Sequence, residues 1–161
     1  MRPQVAASMG IAIGDYRAAA LRAIGAADIV KVSDEDLLHL GYDGDIPEAA
    51  RDLLRRGARL VVATSGDAGA WVFTPDNQCF QPAYSVTVAD TVGAGDCFFA
   101  GFIAALQRAN ALTSLKETPP KIAILAQALR HGAACAAINV ARVGCQPPSW
   151  NEAQAWLASI P

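Results

Sequence analysis

The chain has 161 residues, of which 53% are hydrophobic and 17% charged, with a formal net charge of -2. That length favours one domain, and the composition supplies a packed core and excludes a disordered chain. The basic residues are scattered apart from Arg51, Arg55, Arg56 and Arg59, which fall at helical spacing and read as a solvated helix face rather than a nucleic-acid footprint.

The four cysteines, Cys79, Cys97, Cys135 and Cys145, form no C-x-x-C pair, and the only histidines are His39 and His131. A zinc site is not expected; buried, reduced thiols in a cytoplasmic protein are. The first residues, Met1 to Ile11, carry a single Arg and are broken by Gly10, so they do not read as a signal segment. No uninterrupted apolar run reaches transmembrane length, so no membrane partner is expected.

In chain order, Asp15 is placed to cap a helix from Tyr16 to about Ile24 that stops at Gly25. Asp28 to Val32 is short and β-branched and predicts a buried strand. Ser33 then caps a helix over 34–40, with acidic residues in its first turn. Pro47 opens the next helix, which runs to Arg56 before Gly57. Arg59 to Thr64 predicts a second buried strand, and a turn, Ser65 to Gly69, leads into a hairpin of 70–74 and 78–81. Tyr84 to Ala89 reads as a further extended piece. A very apolar helix follows over 94–108, then a polar loop around 116–120. A long helix over 121–139 is kept thin by Ala126, Ala128, Gly132, Ala133 and Ala136, and a last helix starts near Ser149. Strands alternating with helices predict an α/β fold with a largely parallel sheet and one antiparallel hairpin.

The chemistry lies in Val92-Gly93-Ala94-Gly95-Asp96, between a predicted extended piece and a buried helix. Two glycines let backbone N–H groups converge on one point without a Cβ in the way. At a helix N-terminus such amides bind anions. A carboxylate at Asp96 is placed to take a proton from a hydroxyl attacking phosphorus, while the amides steady the transferred phosphoryl group. On these residues alone, an aspartate capping a helix after a glycine turn is an equal alternative. The pattern is neither a P-loop nor G-x-G-x-x-G.

The longer run from Asp90 to Phe102 resembles the signature of PfkB-type carbohydrate kinases, the ribokinase-like family. Further segments agree in order. Val30 to Leu37 resembles the family's N-x-x-E element in a fructokinase-like form with Ser first, and Ala63 to Gly69 resembles its T-x-G-x-x-G turn. Ala133 to Ala137 resembles the small-residue helix beside adenine, and Val140 to Pro148 the loop after it. The resemblance implies a three-layer α/β/α sandwich and ATP-dependent phosphorylation of a small sugar. Asp96 would be the catalytic base, and Gly93, Ala94 and Gly95 the anion hole. Thr64, Gly66 and Gly69 would lie along ATP, with Ser33 near its phosphates. It also implies Mg2+ and a monovalent cation, usually K+, held mostly by backbone carbonyls of Asp90, Val92, Asn139, Arg142 and Gly144. Asp36 stands where the family has Glu, one methylene shorter, and Glu35 is the substitute for reaching magnesium-bound waters. His131, just before the small-residue segment on the adenine side, reads as a helix-surface group rather than a nucleotide contact.

The resemblance covers the chain as the C-terminal, ATP-binding and catalytic half of such a kinase, residues 1–161. Met1-Arg2-Pro3 resembles the remnant of a D-P-N-x-R-P strand end. The family's lid, Gly-Gly sugar-binding segment and sugar-gripping Asp have no counterpart here. The expectations are little sugar-dependent turnover by this chain alone, and self-association or a complementary N-terminal half as partner.

Overall fold

The computed structural model describes residue 10 and residues 12–160, so the Met1-Arg2-Pro3 strand end lies outside the described residues. Helix α1 (Ile13–Gly25) is followed by β1 (Ile29–Ser33), α2 (Asp34–Leu40) and α3 (Ile46–Arg55). Strands β2 (Leu60–Ser65), β3 (Gly69–Phe73) and β4 (Gln78–Pro82) come next, then α4 (Ala94–Arg108), α5 (Ile122–Val140) and α6 (Trp150–Ser159).

The expected start of α1 is corrected. Its N-cap is Ala12, without a side-chain bond, and Asp15 sits within the first turn. There its charge still suits the helix dipole. The α2 cap is as the sequence predicts, Ser33 Oγ accepting from the Asp36 amide; beyond that expectation, the Asp36 carboxylate accepts from the Ser33 amide in return. In α3, Ala49, Ala50 and Leu53 face the core, while Arg55 and Arg56 pair with Asp52 at the surface. Arg51, Arg55 and Arg56 thus form a solvated face that supports its own helix, whereas Arg59 falls beyond α3 and pairs with Asp28 instead.

The four strands lie in the order β1-β2-β3-β4. Only β1 and β2 are parallel; β2–β3 and β3–β4 are antiparallel. The α/β class stands, but the balance expected within the sheet is corrected to one parallel pair among the described residues. The physical reason is connection length. Three residues separate β2 from β3, too few for a crossover, so β3 must run back along β2.

Helices cover both faces. Leu60, Val62, Ala70 and Val72 pack with Phe98, Phe102 and Leu106 of α4 and Leu125 and Leu129 of α5. Val30, Val32, Val61, Ala63 and Phe73 pack on the other face with Leu37 of α2 and Leu53 of α3. Because β2 is buried on both faces, it reads as a continuous apolar run rather than an alternation. Helices α4 and α5 approach closely at two glycines. A Cβ on Gly132 would lie 2.7 Å from the Phe98 carbonyl oxygen, and one on Gly101 2.7 Å from the Cys135 sulfur.

Candidate functional site

The parallel pair ends with Ser33 opposite Thr64, so β1 and β2 deliver their C-terminal ends to one rim of the sheet. Ligands of open α/β sheets bind at that rim. Here it borders an open cavity of about 520 Å3. The cavity is lined by Thr64, Gly66, Asp67 and Gly69 of the β2–β3 turn, by Tyr84 to Val86 and Val88, by Ala94 and Gly95 of α4, and by Ala133, Ala136 and Ala137 of α5. The 84–89 piece forms no strand; it walls this cavity instead. The alanines of α5 leave room that longer side chains would fill.

Helix α4 begins without a side-chain cap. Gly93 is its N-cap with φ 75°, and Asp96 lies in the first turn. The amide of Ala94 turns back to the Thr91 carbonyl at 3.2 Å, and that of Cys97 reaches the Gly93 carbonyl at 2.8 Å. Among the described residues the amides of Gly95 and Asp96 have no backbone partner. The Asp96 side chain is exposed and makes no hydrogen bond among them. The alternative of a capping aspartate is therefore excluded: the carboxylate is free and the amides beside it are open. Gly93 suits this turn on two counts. Its φ lies in the left-handed region, and a Cβ there would overlap the Cys145 sulfur and lie 3.1 Å from Cys145 Cβ.

Lys31 is a candidate that the sequence does not single out. On β1, Val30 and Val32 are buried toward α2 and α3, so Lys31 points to the α4 side. Its Nζ lies 3.4 Å from the point a Gly95 Cβ would occupy. A cation, two open amides and a helix N-terminus thus share one corner. The signal available in the sequence was a lone charge inside the apolar strand Ile29-Val30-Lys31-Val32.

The acidic residues at the α2 start divide their tasks. Burial pushes the Asp36 carboxyl up, but hydrogen bonds from the Ser33 amide and hydroxyl, with the charge of Lys31, hold it below its usual value. Its carboxylate accepts from the Ser33 amide at 2.9 Å. Asp34 accepts from Ser65 Oγ at 2.9 Å and so ties α2 to the β2–β3 turn. Glu35 stays exposed.

Asp90, Val92, Asn139 and Gly144 are brought together. The Asp90 carboxylate accepts from the Val92 amide at 3.0 Å and the Gly144 amide at 2.9 Å. These bonds hold it below the usual carboxylate range. Asn139 is fully buried; its Nδ2 donates to the Val92 carbonyl at 2.9 Å and its Oδ1 accepts from the Gln146 amide at 2.8 Å. The Arg142 side chain turns away, donating to the Gln146 carbonyl and pairing with Glu152. Thr64, Gly66 and Gly69 line the cavity; Ser33 does not, but sits opposite Thr64 at the end of β1, its oxygen already serving as the α2 cap.

Two expectations outside the cavity are corrected. His131 is neither a surface group nor on the cavity side. It is 3% exposed, stacks on Trp150 with centroids 3.9 Å apart and bonds to Gln154 Nε2 at 2.9 Å. Burial, with Arg108 nearby, pushes its pKa down. The cysteines are not all buried: Cys97 and Cys135 are, Cys79 is half-buried and Cys145 is exposed. Among the described residues, no three His, Cys, Asp or Glu side chains cluster as a metal site, and no helix is long and apolar enough to cross a membrane.

Comparison with known proteins agrees with this geometry. Residues 7–152 match the model of the pfkB family of carbohydrate kinases. A fructokinase of Rhizobium leguminosarum bv. trifolii is 46% identical over 106 residues, which are 66% of this chain and 31% of the relative. A protein assigned as a ribokinase II of E. coli, solved with ATP and Mg2+, superposes with a TM-score of 0.76 at 25% identity, covering 92% of this chain and 44% of that one. A double mutant of Vibrio cholerae fructokinase, solved with fructose, ADP and a potassium ion, superposes with a TM-score of 0.72 at 29% identity, covering 88% of this chain and 44% of the other. The chain therefore spans less than half the length of these relatives. With the open amides, the free carboxylate and the family match over 7–152, the chain belongs to the pfkB family of carbohydrate kinases.

Proposed function

We propose that this chain is the nucleotide-binding and catalytic half of an ATP-dependent sugar kinase acting on fructose or a similar small sugar. The observation that carries the reading is the α4 start, where the amides of Gly95 and Asp96 lack backbone partners and the Asp96 carboxylate is free. ATP lies in the cavity, its base against Ala133, Ala136 and Ala137 and its phosphates along Thr64, Gly66 and Gly69, with Ser33 beside Thr64 at the strand end. Asp96 takes the proton of the attacking sugar hydroxyl. The Gly93–Gly95 loop, the Asp96 amide and Lys31 stabilise charge on the phosphoryl oxygens as it transfers.

A bound Mg2+ would supply neutralisation of the phosphate charge. Since Asp36 is engaged with Ser33, Glu35 is the residue that would hold its waters. A K+ ion would be held by carbonyls of Asp90, Val92, Asn139, Arg142 and Gly144. The fit is partial, because the Val92 carbonyl already accepts from Asn139 and that of Asn139 from the Arg142 amide at 3.0 Å.

The acceptor side and the partner belong to the same proposal. Strand β1 pairs only with β2 among the described residues. Its free edge supports a complementary N-terminal half, or a second copy, as partner. The setting is the cytoplasm, where ATP is abundant.

The test is calorimetric ATP binding, and fructose-dependent ADP release, by the chain alone and after mixing with the N-terminal half of a fructokinase. Binding by the chain alone and turnover only in the mixture are expected. Absence of ATP binding would overturn the reading. Binding without turnover in any combination would favour a nucleotide-binding module that kept the motif by descent.

A further inference from the structure

Cys97 and Cys145, which the phosphoryl-transfer chemistry leaves idle, both lie against Gly93 at the start of α4, with their side chains as neighbours. Cys97 lies one turn into the helix, with its amide on the Gly93 carbonyl at 2.8 Å. Cys145 packs against Gly93 itself, its Cβ 3.1 Å and its Cα 3.8 Å from the point where a Gly93 Cβ would sit. Only the missing side chain of Gly93 allows the approach. Residues on both sides of Cys145 are anchored: the Gly144 amide on Asp90 at 2.9 Å and the Gln146 amide on Asn139 at 2.8 Å. The thiol is thus presented to Cys97 by a held loop. One partner is buried and the other is open to solvent, an arrangement suited to attack from outside followed by resolution within.

We infer that Cys97 and Cys145 form an oxidation site that closes to a disulfide on reaction with a small-molecule disulfide, pinning the loop after α5 onto the anion-binding start of α4. The thiolate of Cys145 attacks one sulfur of the small disulfide, forming a mixed disulfide and releasing one thiolate. The thiolate of Cys97 then attacks the Cys145 sulfur and expels the second. Two protein thiols are oxidised and one small disulfide is reduced to two thiols, which carry away the two protons. The buried Cys97 is the slower nucleophile. Burial first, then the neighbouring Cys145 thiol, push its pKa up to about 11, so the exposed Cys145 reacts first.

Closure changes the corner that receives phosphate. Cys145 packs on Gly93, which precedes the open amides of Gly95 and Asp96, so a covalent tie there shifts the amides or fixes them off target. This consequence for nucleotide binding rests on the proposed kinase function; the bridge itself does not.

The experiment incubates the chain with oxidised glutathione, blocks free thiols, and maps peptides by non-reducing mass spectrometry, with ATP affinity measured before and after. One intramolecular bridge joining Cys97 and Cys145 is expected. It should be absent from Cys145→Ser, an exposed position where folding is not at stake, and should persist in Cys79→Ser. ATP affinity should fall about fivefold or more on oxidation, return with reductant, and be insensitive to oxidant in Cys145→Ser. A bridge involving Cys135 or Cys79, or glutathione retained on Cys145 without resolution, would overturn the site. A mapped bridge with unchanged affinity would overturn its effect on the nucleotide. If the reduced chain binds no ATP, the kinase reading and that effect fall together, while the mapped bridge still decides the site.

Discussion

Two helices begin at the same rim of the sheet and finish their first turns in opposite ways. At α2, Ser33 and Asp36 satisfy each other's amides, and the turn is closed by its own sequence. At α4, Gly93 offers no side chain, the Gly95 and Asp96 amides stay open, and Lys31 brings a cation alongside. Every helix start has orphan donors. The closed start stabilises the fold, and the open one holds its donors ready for a ligand. Where the sequence leaves local satisfaction undone is where binding is to be sought.

The sharpest way to test this contrast is at the free carboxylate. With an N-terminal half supplied, Asp96→Asn should lower turnover roughly 10²–10⁴-fold and leave ATP affinity nearly unchanged, checked by steady-state kinetics and calorimetry. Intact turnover would remove Asp96 from the role of base. Next, Gly93→Ala introduces a Cβ at φ 75° against Cys145. It should cost about 1–3 kcal/mol of stability and weaken ATP binding with it, read by urea unfolding and titration. Lys31→Met should weaken ATP about tenfold, roughly 1.4 kcal/mol, and leave adenosine unaffected; an equal loss for both would separate Lys31 from the phosphates.

The closed start should respond differently. Ser33→Ala should cost about 1 kcal/mol, a fall of about 2–4 °C in melting temperature, with a smaller effect on ATP affinity than Lys31→Met. The smallest effect concerns pH. Ser33 and Lys31 hold the folded Asp36 carboxyl below its ordinary value. The stability this contributes is fully present above about pH 4 and is lost as pH falls through the lower folded value. The advantage of the wild type over Asp36→Asn in thermal melts should therefore hold at pH 6 and shrink toward pH 3.

What the sequence disclosed follows from range along the chain. Ser33 as a cap is decided within a few residues and was legible; Gly93 to Asp96 was legible as a glycine turn at a helix start, while its residues alone left a capping aspartate as an equal alternative. The burial of β2 was legible too, since Leu60 to Ala63 is apolar throughout. The sheet order was only half legible. The short β2–β3 connection forces an antiparallel return, yet the alternation of elements pointed to parallel pairing. Lys31 reaches Gly95 from 64 positions away, and Cys145 reaches Gly93 from 52, so no local pattern could place either. Asp36 was legible as a family position but not as a group already bonded to Ser33. His131 was misread because Trp150 and Gln154, which bury it, come from the next helix.

Helix α5 carries small residues on two neighbouring faces. Gly132 lies under Phe98, while Ala133, Ala136 and Ala137 border the cavity. That makes the helix intolerant of insertion more than of substitution. One extra residue ahead of Gly132 would turn everything after it by about 100°. Ile138 would then occupy the seat of Asn139, leaving the Val92 carbonyl and the Gln146 amide without the partners they now have. The glycine loop and the loop carrying Cys145 would come apart at the same stroke. The length of this helix, counted in single residues, sets the alignment of the cavity wall with the open start of α4.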